Sequence, residues 1–290
     1  MDRKLSRHRC YVLVLLFLLA DTLNADLSGA GPLGWLLCIP AALAALPVYR
    51  AGRALAGWIE TRKHPWIGLL WDSLLLAFAA GTLFRMTADF GGILRTYNDF
   101  TLSPHLLCLM LLGVTLYLSR LHGEGLARTA ELLFWPVVGI WLWTFIVGLG
   151  DCDFGRLLPL LGQGESGGLL WLLMRVFLQG ILAQAVLEPL TEPATLRTAL
   201  RDAALTAGTV LALFLAKDIA QIGWNMVSSF TYPLYALAGL SRNGSGMHIE
   251  DLLICALLAA RLIKGAMLLR LIGNILKRWR MMQRRLIWYK

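Results

Sequence analysis

Seven ionisable side chains, Arg85, Arg175, Glu188, Lys217, Asp218, Arg261 and Lys264, fall within or close to long apolar runs of this 290-residue chain. A charge in hydrocarbon is costly unless it faces a partner or a wet cavity, so such residues mark ion pairs, ligand sites or transport pathways. Arg261 and Lys264 lie one helical turn apart, on one face and near the middle of the last run. Two cations on one face call for carboxylates or a polar cavity, and Glu188 and Asp218 are the candidate partners. A structural ion pair between helices is the competing reading. Arg85, Lys217 and Asp218 sit toward the outer run ends, where snorkelling or a local ion pair accounts for them.

Polar residues and glycine inside two runs form a second constellation. The first run contains Asp21-Thr22-Leu23-Asn24-Ala25-Asp26, and the sixth contains Phe177-Leu178-Gln179-Gly180-Ile181-Leu182-Ala183-Gln184. Helices interrupted at corresponding places in two halves of a transporter expose backbone groups and helix ends to a central ligand. Asp21, Thr22, Asn24, Phe177, Gln179, Gly180 and Gln184 are therefore the candidate ligand-binding residues. A polar exit from the first span explains Asp21 to Asp26 equally well.

The elements that must position these residues are membrane helices. With 58% hydrophobic residues and a mean hydropathy of +0.64, the chain exceeds what a water-soluble domain carries. About eight runs approach the ~20 apolar residues that cross a bilayer: 10–27, 33–49, 66–88, 104–121, 130–149, 167–190, 203–223 and 249–272. Basic clusters occupy alternate gaps: Arg3, Lys4, Arg7 and Arg9; Arg50, Arg53, Arg62 and Lys63; Arg120 and Arg128; Arg197 and Arg201; and a basic tail over 273–290. The other gaps hold few cations, beside Asp89, Asp99, Asp151, Asp153 and Glu165. That alternation is the positive-inside pattern and predicts both termini in the cytoplasm. It also favours retaining the first run as a span over removing it as a signal peptide, although small residues follow it. The expected organisation is one integral membrane domain over 1–290, without a linker.

Other chemistries find little support. The five cysteines lack metal or redox spacing, and no two of the five histidines are spaced as helical ligands. Phosphate-loop, nucleophile-elbow and zincin motifs are missing, so neither an enzyme, a metal site nor a cofactor is expected. The formal charge of +9 lies at span ends, where it orients helices and meets anionic lipid headgroups rather than nucleic acid.

Several short motifs in order carry a family resemblance. They are Lys4-Leu5-Ser6-Arg7-His8-Arg9 before the first span; Thr101-Leu102-Ser103-Pro104-His105 opening the fourth; and Tyr117 followed by Gly123-Glu124-Gly125-Leu126-Ala127-Arg128-Thr129-Ala130-Glu131, ending at Trp135-Pro136. Further along come Leu157-Leu158-Pro159-Leu160-Leu161-Gly162-Gln163-Gly164, Tyr232-Pro233-Leu234-Tyr235 and Ile249-Glu250-Asp251-Leu252-Leu253. In this the chain resembles the spore germination permeases, the B subunits of germinant receptors, within the amino acid–polyamine–organocation transporter superfamily.

The resemblance implies an all-α polytopic fold like a truncated LeuT-type inverted repeat, with a nutrient such as an amino acid bound between helices one, three, six and eight. It implies residence in the spore inner membrane, A-type and C-type receptor subunits as partners, and germination triggered by ligand binding. A secondary amino-acid transporter, or a scaffold that has lost its pocket, are the alternatives. Departures are specific: the family carries two further helices, and their apparent absence here favours sensor or scaffold over carrier. Asp21-Thr22-Leu23-Asn24 replaces a glycine-rich centre of helix one, Gly180 and Gln184 stand nearest the family's Gly-Glu in helix six, and Met247-His248 replaces the Glu-Arg before helix eight.

Overall fold

The computed structural model describes residues 4–22, 33–61, 65–97, 103–157, 168–230, 232–240 and 249–287. Leu23, Asn24, Ala25, Asp26, Thr101-Leu102, the whole loop from Leu158 to Gly164, and Met247-His248 lie outside the described residues. Side-chain placement of Asp21, Thr22 and His105 is likewise undescribed.

The described residues are almost all helical, without strands. The order is α1 (Arg7–Thr22), α2 (Gly34–Thr61), α3 (Pro65–Tyr97), α4 (Pro104–Ser119) and α5 (Gly123–Val147), then α6 (Gly168–Leu172), a π-helical turn (Leu173–Phe177) and α7 (Gly180–Leu187). After these come α8 (Pro193–Ile222), α9 (Trp224–Ser229), α10 (Pro233–Leu240) and α11 (Ile249–Ile287). Local chemistry sets several starts. Ser103 caps α4 by accepting the Leu106 N–H at 3.3 Å, and Pro104 and Pro193 occupy first helical positions, where a missing N–H costs nothing. α8 stops at Gly223, whose φ of 81° suits only glycine comfortably.

Among the described residues, six helical stretches are long and apolar enough to cross a membrane: Gly34–Ile59, Trp66–Arg95, Gly123–Asp151, Gly168–Leu190, Pro193–Ile222 and Asp251–Met281. The described runs of α1 and α4 have 16 residues each, and at 1.5 Å per residue such a run measures about 24 Å, less than the ~30 Å hydrocarbon layer. Each apolar run read from the sequence maps onto one of these helices, with different ends. α2 runs beyond Tyr49 to Thr61, α5 starts at Gly123 rather than 130, and the basic tail is no separate segment, since α11 continues through it to Ile287.

α1 is the axis of the bundle. From Val12 to Ala20 every side chain is at most 3% exposed, on all sides of the helix, because α5, α7, α8 and α11 surround it. The opposite extreme lies on α3, α4 and α5, where Phe84 is 78% and Leu132 is 74% exposed. An apolar outer shell around an apolar centre is what a lipid solvent permits and water does not. Close helix contact relies on small residues, as is usual in membranes. A Cβ placed on Gly208 of α8 would lie 2.9 Å from the Ala42 Cβ and 3.1 Å from the Cys38 carbonyl oxygen of α2.

One end of the bundle carries the basic clusters and both described chain ends. There Arg9 pairs with Glu124 (3.3 Å) and Glu131 (3.2 Å), and Arg128 joins Glu124 (2.8 Å), fastening the start of α1 to α5. Lys4 reaches Glu192 (3.1 Å), Arg7 reaches Asp202 (2.6 Å), and Arg278 on α11 reaches Asp72 on α3 (3.1 Å). The Arg128 and Glu131 motif therefore has a structural task in this fold.

Candidate functional site at a broken helix

The sixth apolar run is interrupted in its middle. Leu178 donates its N–H to the Leu173 carbonyl five residues back (2.9 Å), the signature of a π turn, and regular α geometry resumes only at Gly180. Such turns widen the helix and free backbone groups, and they occur frequently at functional sites. Here the Phe177 carbonyl is taken up by the Tyr49 hydroxyl of α2, which donates to it. Gly180 permits this approach, since a Cβ there would collide with the Tyr49 hydroxyl and ring.

Gln179, at the break and 8% exposed, uses both ends of its amide. Its Nε2 donates to the Arg175 carbonyl (2.6 Å), and its Oε1 accepts from Lys264 Nζ of α11. The Lys264 ammonium also lies 4.8 Å from the centre of the Phe17 ring on α1, a cation–π distance. One turn away, the Arg261 guanidinium donates to the Met86 carbonyl of α3 (3.1 Å) and, at 3.5 Å, to the Ala20 carbonyl in the last described turn of α1. The Phe90 ring centre lies 5.8 Å from its Cζ. Both cations are buried, Arg261 at 1% and Lys264 at 0% exposure. Among the described residues, carbonyls and a ring surround Arg261 where a carboxylate was anticipated. The cluster joins α1, α3, the interrupted run and α11.

The two carboxylates considered as partners for this pair are engaged elsewhere. Glu188 pairs with Arg53 at 3.3 Å at the basic end. Asp218 faces Lys217 at 3.5 Å, and at 2% and 5% exposure the two are buried rather than snorkelling. Nearby Gln221 donates to the Gly148 carbonyl (2.6 Å), so this part of α8 holds the turn that ends α5. Arg85 pairs locally with Asp89 at 3.8 Å and is half exposed. Arg175 lies in the π turn and is partly buried.

Of the candidate ligand residues, Phe177, Gln179 and Gly180 meet at the break. Gln184 instead lines a cavity of about 620 Å³ between α2 and α8, as does Tyr49. α1 is a regular helix from Arg7 to Thr22, and the rest of the stretch expected to interrupt the first run, Leu23 to Asp26, lies outside the described residues. Sequence reading missed Tyr49, Phe17 and Phe90. Only their aromatic character hinted at them, and apolar helices carry many such rings.

A buried polar cluster at a helix break, inside a bundle whose outer face is apolar, defines an all-α, multi-pass membrane protein with a polar interior. Comparison of the sequence with models of known protein families gives no match, and comparison with curated proteins gives none either.

Proposed function

We propose that this chain is a permease-like membrane subunit of a spore germinant receptor that senses a small carboxylate-bearing nutrient such as an amino acid. The observation that carries the reading is the broken sixth run, where Gln179 holds Lys264 beside Arg261 at the meeting of four helices. A ligand carboxylate competing with the Gln179 amide for Lys264 would release the Leu173–Gln179 segment. Preferring the released state, it would shift a two-state equilibrium that A-type and C-type partner subunits read out. The ordered motifs of the family resemblance support the receptor assignment.

The test is germination of spores whose own copy is replaced by Gln179→Leu or Lys264→Met. The nutrient concentration for half-maximal response should shift by about tenfold or more, the worth of one charge-assisted hydrogen bond. An unchanged dose response in both variants overturns the reading. Uptake of labelled amino acid by proteoliposomes containing this chain alone would make it a carrier instead.

A further inference from the structure

The cavity between α2 and α8 is separate from the Arg261 and Lys264 cluster, and its chemistry is different. The two helices are in close contact at Gly208, then part toward the basic end, leaving a groove of about 620 Å³. That volume falls within the usual range for ligand sites, roughly 300–1,000 Å³. Leu46 on α2 and Leu196 and Leu200 on α8 make its walls apolar. Four arginines also line it, two from each helix. Arg53 is committed to Glu188 (3.3 Å) and the Pro193 carbonyl (3.3 Å), and Arg201 to Asp202 (2.9 Å). Arg50 and Arg197, on facing walls, have no carboxylate partner among the described residues. The first turn of α8, with Ala194 on the cavity wall, adds the positive end of a 30-residue helix.

Gln184 stands at the inner wall, 6% exposed, with its Oε1 shielded by the surrounding protein. Cations at the rim and apolar walls together describe one kind of occupant: an anion that sits against hydrocarbon.

We propose that this groove binds an anionic phospholipid of the phosphatidylglycerol type. Arg50 and Arg197 hold the phosphate, and the leucine walls receive the start of the acyl chains. The apolar walls favour a lipid source over a soluble ester, and a basic surface at a membrane boundary enriches anionic lipid. The site does not depend on the receptor reading, since it uses neither Gln179 nor Lys264.

Native mass spectrometry of the full chain released from detergent, with phosphatidylglycerol, phosphatidylmethanol, phosphatidylcholine or soluble glycerol 3-phosphate, tests it. Phosphatidylmethanol carries the anionic phosphodiester without the glycerol headgroup. Wild-type protein should retain both anionic lipids over phosphatidylcholine. The double variant R50Q/R197Q, altered only at exposed side chains, should weaken phosphatidylglycerol retention by about twenty-five-fold, each arginine near a membrane surface being worth a factor of about five. Displacement of the lipid by glycerol 3-phosphate would support the same site chemistry with a soluble source. Equal retention of phosphatidylcholine by wild-type protein, or phosphatidylglycerol retention unaffected by R50Q/R197Q, overturns the proposal.

Discussion

Lys264 carries a cation where hydrocarbon would surround it, and the Gln179 amide and the Phe17 ring compensate for lost water. A hydrogen bond to a charged group contributes about 1.5–3 kcal/mol, so Gln179→Leu should destabilise the protein by about that amount in thermal unfolding in detergent micelles. Lys264→Met removes the charge together with its need for a partner and should cost less. Because the larger part of the Q179L effect requires the ammonium, whereas loss of the Arg175 carbonyl contact does not, the double variant should lose less than the sum of the two. Strict additivity would mean that the amide and the ammonium do not interact. That Arg261 and Lys264 occupy one buried face was legible from their three-residue spacing. Their partners were not, because backbone carbonyls and rings leave no signature in a one-dimensional pattern, and the visible carboxylates, Glu188 and Asp218, had cations nearer to hand.

At the scale of elements, the contact of α2 with α8 depends on a missing side chain. Gly208→Ala places a methyl 2.9 Å from the Ala42 Cβ and 3.1 Å from the Cys38 carbonyl, and neither is the end of a flexible side chain. Overpacking of this kind costs about 1–3 kcal/mol, so G208A should lower the unfolding midpoint. Adding Ala42→Gly should recover part of that loss, the Cys38 carbonyl still being near, and no recovery would place the strain elsewhere. The interrupted sixth helix was legible in outline from Gln179-Gly180. Of the matching stretch in the first run, Asp21 and Thr22 fall in the last described turn of α1, and Leu23 to Asp26 lie outside the described residues.

For the whole molecule, the ion pairs at the basic end set the arrangement of the chain ends. Lys4 binds beside the start of α8 and Arg278 beside the start of α3, whereas Asp153 lies past the far end of α5. In a cysteine-free background, single cysteines at Lys4 and Lys277 should therefore react with an impermeant reagent from the same side of the membrane, and one at Asp153 from the other. The positive-inside pattern predicts that the first side is the cytoplasmic one. Labelling of Asp153→Cys together with Lys4→Cys from one side would refute this arrangement.

The sequence alone determined class, approximate helix positions and the grouping of basic ends, since hydropathy and charge respond to the bilayer, an environment that acts on each segment independently of its neighbours. Tertiary structure decided which helix lies at the centre, that Gln179 meets Lys264 across 85 residues of chain, and that α2 and α8 part to leave a groove. Lipid tails are as apolar as leucine, so no solvent contrast in the sequence distinguishes a lipid-facing side chain from one packed between helices. That distinction rests on shape, on where a glycine lets two backbones approach and where a ring or an amide fills the space that remains.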